Sequence, residues 1–159
     1  MSTTVNKLSE VNLTSLPDVS QRNFGIVVSE WNETITESLF SGCYNLLIQA
    51  GIDASHIKRI NVPGSFELTS GARLLADDHT IDAVICLGCV IQGETRHFEF
   101  ICNAVANGLT QLCIAYRKPF IFGVLTTDNL QQAIDRSGGK YGNKGVEAAQ
   151  TAIKMVSLF

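Results

Sequence analysis

Four short segments of this 159-residue chain carry side chains suited to chemistry. In Gln92-Gly93-Glu94-Thr95-Arg96-His97, a glycine lets backbone N–H groups approach an anion and a hydroxyl stands beside them. His97, with an ordinary pKa near neutrality, can carry protons in either direction, although a lone histidine is also a common structural residue. In Asp135-Arg136-Ser137-Gly138-Gly139-Lys140-Tyr141-Gly142-Asn143-Lys144, two cations bracket a glycine-rich turn. Arg136 offers a planar fork for phosphate and Lys144 a mobile point charge; solvated helix-end cations are the plainer reading. Ser29-Glu30-Trp31-Asn32 holds the only Trp, either a core residue covering a helix start or an aromatic platform at a ligand site. Val62-Pro63-Gly64-Ser65-Phe66-Glu67 reads as a tight turn, with Ser65 placed to cap the next helix and Glu67 to complement its dipole.

Two other patterns point away from chemistry. Cys86-Leu87-Gly88-Cys89 has the spacing of a redox pair, but strand alternation sends residues three apart to opposite faces. His56, His79 and His97 share no metal-ligand spacing with each other or with the five cysteines.

The elements that must position these segments follow from hydrophobic period. Residues 24–28, 57–62, 81–91 and 119–126 are strand-length apolar runs rich in Val and Ile. Helical patterns separate them: from Asn32 as N-cap to a stop at Gly51, from about Phe66 to Ala76, from about Arg96 to Ala115, and a short one capped by Asp128 through Arg136. A last helix carries Val146, Ala149, Ile153 and Val156. Strand–helix alternation means parallel strands with right-handed crossovers and helices on both faces. The expected fold is α/β: a three-layer α/β/α, flavodoxin-like, four-stranded doubly wound parallel sheet over residues 21–159, preceded by an arm at 1–20. Ligands of such sheets bind beyond the carboxyl ends of the strands, where all four segments fall.

Composition narrows the function. Hydrophobic residues are 45% of the chain, which excludes disorder, and charged residues only 17%, below the usual quarter, so apolar surface must be covered by a subunit contact. A net charge of −3 gives no footprint for nucleic acid or an anionic membrane. No apolar run approaches the roughly 20 residues of a membrane span. With no export signal in view, five cysteines read as reduced thiols of a cytoplasmic protein.

Together, WNE, NVPGSFEL, LGCVIQGETRHFEFI and FGVLTTDNLQQAIDRSGGKYGNKG, in this order and spacing, resemble the lumazine synthase family over about residues 20–158. The resemblance implies a condensation in riboflavin biosynthesis. The 5-amino group of 5-amino-6-(D-ribitylamino)uracil attacks the ketone of 3,4-dihydroxy-2-butanone 4-phosphate; imine formation, phosphate elimination and ring closure with loss of water give 6,7-dimethyl-8-ribityllumazine. No metal or redox cofactor is called for. By the same resemblance His97 shuttles protons. Trp31, Asn32, Ser65, Phe66 and Glu67 hold the ribitylaminouracil, Phe122 and Lys144 complete its pocket from a neighbouring subunit, and Gly93, Glu94, Thr95 and Arg136 hold the phosphate. It further implies a homopentamer, with twelve pentamers closing into a shell where the turn before the last helix is short, and a riboflavin synthase as candidate partner. Many members carry Phe where this chain has Trp31.

Rival readings lack their signatures. A flavodoxin-like electron carrier wants a hydroxyl-rich phosphate loop after the first strand, and a nicotinamide enzyme wants G-x-G-x-x-G there. A non-enzymatic shell protein has no need of His97, Arg136 and Lys144 together.

Overall fold

The structure, a computed structural model, describes residues 9–159. Its central sheet has four parallel strands in the order β2-β1-β3-β4, with β1 Phe24–Ser29, β2 Ile57–Val62, β3 Ala83–Ile91 and β4 Phe120–Thr127. Five helices accompany it: α1 Glu33–Gln49, α2 Leu68–Ala76, α3 His97–Ala115, α4 Leu130–Arg136 and α5 Lys144–Val156.

All six residues of β1 are buried, as a central strand covered on both faces requires. Its side chains alternate between two cores. Ile26 and Val28 join Ile85, Leu87 and Cys89 under α1 and α5, around Leu39, Leu47 and Ile153. Val27 joins Val84 and Cys86 under α2 and α3, around Leu68, Leu75, Val105 and Leu109. The expected three-layer α/β/α sandwich is therefore observed. Cys86 and Cys89 lie in opposite cores, so no disulfide can join them.

Local corrections have local causes. Asp128 does not cap α4; Asn129 does, accepting from the Gln132 amide at 2.9 Å, while the Asp128 amide is taken by the Gln132 side chain. The second helix begins at Leu68, not Phe66, because 65–67 form a turn with no side-chain cap. The glycine-rich break is an ordered two-stranded hairpin, β5 Ser137–Gly139 with β6 Gly142–Asn143, turning on positive φ at Gly138 and Gly142. Of the arm, residues 9–20 lie on their own chain: Leu13–Ser15 form a 3₁₀ turn, and Val11 and Leu16 pack on the α1/α5 core. Residues 1–8 of the expected arm lie outside the described residues.

One helix goes against the reading that no segment could span a membrane. By length and composition α3 qualifies, and only 17% of its most apolar stretch is buried. Its inner face of Val105, Leu109 and Leu112 packs on the sheet, while Asn103, Asn107 and Gln111 share the exposed side with Phe100 and Ile114. Repeating amides every four residues argue for a cover of protein rather than lipid.

Candidate active site

Backbone bonds beyond the strand ends set the loops. The Glu30 amide donates to the Val62 carbonyl at 2.8 Å and the Trp31 amide to the Pro63 carbonyl at 3.0 Å, which carries the β1–β2 ladder into the loops. Trp31 is thereby fixed beside the Pro63-Gly64 turn and is 74% exposed. A core role for Trp31 is excluded by that exposure.

Asn32 holds the N-cap position of α1, as expected, with its carbonyl accepting from the Thr36 amide at 3.1 Å, but it does not cap with its side chain. It is left-handed (φ 63°, ψ 47°), its side chain makes no cap bond, and its Nδ2 donates across to the Cys89 carbonyl at 3.0 Å. Asn tolerates that conformation at little cost, and the bond ties the β1 loop to β3. Ser65 likewise fails to cap. Its hydroxyl is buried without a partner, as is that of Ser29, and both crowd Gly88: a Cβ there would lie 2.8 Å from the Ser65 Oγ and 3.3 Å from the Ser29 Oγ. Of the two, Ser65 lines the cleft that opens here, and its unpartnered hydroxyl gives that cleft a polar floor that favours a hydrogen-bonding occupant.

Above that floor, Trp31, Asn32, Ser65, Phe66, Glu67 and His97 line one cleft of about 640 Å³. Phe66 is 57% exposed and faces Trp31's cleft as a second aromatic wall. His97 opens α3, and its amide donates to the Thr95 hydroxyl at 3.3 Å. Cys89 also lines the cleft; burial pushes its thiol up to about 11, so it is a neutral wall and no nucleophile. Gly64, Val90, Ile91 and Ile101 complete the lining. Of these, Val90 and Ile91 were findable from their place at the end of β3, whereas Ile101 depends on how α3 docks.

Phe122, Arg136 and Lys144 are not in that cleft. They line a second one of about 600 Å³ at the β4 edge, with Gln132, Asp135 and Tyr141. Gly93, Glu94 and Thr95 are exposed on the β3–α3 loop and line neither. The residues expected to work together thus fall on two separate surfaces of one chain. At the opposite end of the sheet a third cleft contains Lys118, whose ammonium is spent on the carbonyls of Ala76, Asp78 and Ile81.

Comparison with known proteins adds to this geometry. Residues 21–159 match the family model for 6,7-dimethyl-8-ribityllumazine synthase. Among similar curated proteins, a 6,7-dimethyl-8-ribityllumazine synthase of Cytophaga hutchinsonii is 61% identical over 142 residues, covering 89% of this chain and 89% of the relative. That of Parabacteroides distasonis is 54% identical, covering 99% of both, and that of Flavobacterium johnsoniae is 52% identical, covering 99% of this chain and 83% of the relative.

Proposed function

The chain belongs to the 6,7-dimethyl-8-ribityllumazine synthase family, and on that premise we infer that it condenses 5-amino-6-(D-ribitylamino)uracil with 3,4-dihydroxy-2-butanone 4-phosphate, as the sequence led us to expect. The observation that carries the reading is the cleft in which an exposed Trp31, Phe66, Glu67 and His97 meet over the unpartnered Ser65 hydroxyl.

We propose the following division of labour. Trp31 and Phe66 grip the pyrimidine by stacking, and Asn32, Ser65 and Glu67 supply its polar contacts and those of the ribityl chain. The 5-amino nitrogen attacks the ketone carbon, and His97 delivers the proton that lets the carbinolamine oxygen leave as water. After enolisation of the imine, the C–O bond to phosphate breaks and the leaving dianion departs toward Arg136, helped by Thr95 and the amides of Gly93 and Glu94. The enol left by that elimination tautomerises to a methyl ketone at the former carbinol carbon, and the ribitylamino nitrogen closes the ring onto this new carbonyl, with loss of a second water. Much of the acceleration is orientation of two substrates, with proton transfer adding about 10²–10⁴.

Because His97 and Arg136 line separate clefts, the working site joins the first cleft of one subunit to the second cleft of its neighbour, with Phe122 and Lys144 closing the ring pocket. A cyclic pentamer supplies that junction and covers the exposed Phe100 and Ile114. The hairpin at 137–143 is short, which favours closure of twelve pentamers into a shell of about 60 chains. A cytoplasmic location and a riboflavin synthase as partner complete the proposal. Mixing the protein with both substrates tests the activity: lumazine absorbance and fluorescence should appear with stoichiometric release of phosphate, and their absence would refute it.

A further inference from the structure

Arg136 and Lys144 meet at one carboxylate. Glu147 Oε1 accepts from Arg136 Nη2 at 2.8 Å, and its Oε2 accepts from Lys144 Nζ at 3.2 Å. Its side chain is only 14% exposed, those of Arg136 and Lys144 21% and 32%, so all three sit where screening by water is reduced. Arg136 Nη1 donates to the Tyr141 carbonyl at 2.7 Å. Two of the guanidinium's five donors are therefore engaged among the described residues. They fix its plane and leave its remaining N–H groups for an oxyanion.

Lys144 stands at a poor place for a cation. It is the first residue of α5, capped by Asn143, where the positive end of the helix dipole repels it. Glu147, three residues on, offsets that repulsion and the repulsion between the two cations. A Glu in a first helical turn is explained by the dipole alone, but the dipole does not require its two oxygens to divide between two cations.

We propose that Glu147 is a positioning residue that sets Arg136 and Lys144 in their binding poses before substrate arrives. This rests on the assignment of Arg136 to the phosphate. Freed of the carboxylate, a long Arg side chain regains its rotamers, and each binding event must order it again.

The test measures KM for both substrates and kcat in assembled protein carrying Glu147→Ala, Glu147→Gln or Arg136→Ala. The alanine variant should raise KM for the butanone phosphate about tenfold, the worth of one charge-assisted hydrogen bond, and, through the freed Lys144, KM for the uracil by a smaller factor of about threefold, while kcat falls less than KM for the butanone phosphate rises. The glutamine variant keeps the shape and an acceptor for Arg136, so it should restore most of that KM. An unchanged or lowered KM for the butanone phosphate in Glu147→Ala, or no rescue by glutamine, overturns the proposal. If Arg136→Ala alone raises that KM, only the role of Glu147 falls; if Arg136→Ala leaves it unchanged, the phosphate assignment falls with it.

Discussion

At saturating substrate, His97→Ala should lower kcat by about 10²–10⁴, because its place at the mouth of α3 suits a proton carrier and not a structural ligand. Stopped-flow lumazine formation checks this, with light scattering to show unchanged assembly; an unaltered kcat would remove His97 from the mechanism. Trp31, exposed and the only Trp, should lose emission when a pyrimidine or lumazine ligand binds. A ligand bound by calorimetry that leaves that emission unchanged would place the ring elsewhere. Both residues were legible in the sequence because strand ends are where such sheets bind ligands. The place of Asn32 and Ser65 in the lining of the cleft was legible, but not their manner. Each has the type of a helix cap, yet the loop geometry turns one across to Cys89 and leaves the other unpartnered. Glu147 was hidden, since a Glu in a first helical turn has an ordinary reason to be there.

Among the elements, α2 lies so close to the sheet that Gly71 has no room for a side chain. A Cβ there would meet Val27 Cγ1 at 2.6 Å and Val62 Cγ1 at 2.9 Å. Gly71→Ala should destabilise the fold by about 1–3 kcal/mol through displacement of α2, despite alanine's better helix propensity. Urea denaturation measures it, and an equal or higher midpoint would contradict so tight a contact. Because α2 carries the Ser65–Glu67 turn at its head, the same variant should weaken uracil binding. The strands were readable to within two residues, since buried parallel strands are continuous apolar runs. The hairpin at 137–143 was not, because four glycines in eleven residues advertise a break and conceal its pairing. The membrane-like composition of α3 escaped notice because its amides interrupt every apolar run.

For the whole molecule, the sheet order separates the two clefts. With β2-β1-β3-β4 from edge to edge, the first cleft stands over β1 and β3, whereas the second opens at the free edge of β4. Within one chain His97 and Arg136 line separate clefts, and low charge with exposed apolar side chains favours a neighbouring subunit as the cover of this surface. The shared site is the central claim, and subunit complementation tests it most directly. His97→Ala and Arg136→Ala chains, each nearly inactive alone, are unfolded together in equal amounts and refolded. If each site takes one cleft from each of two chains, random assembly makes about a quarter of the sites wholly native, and activity should recover to about a quarter of the unmutated protein. Activity that stays at the average of the two variants refolded separately would show that each chain works alone, and would contradict the account.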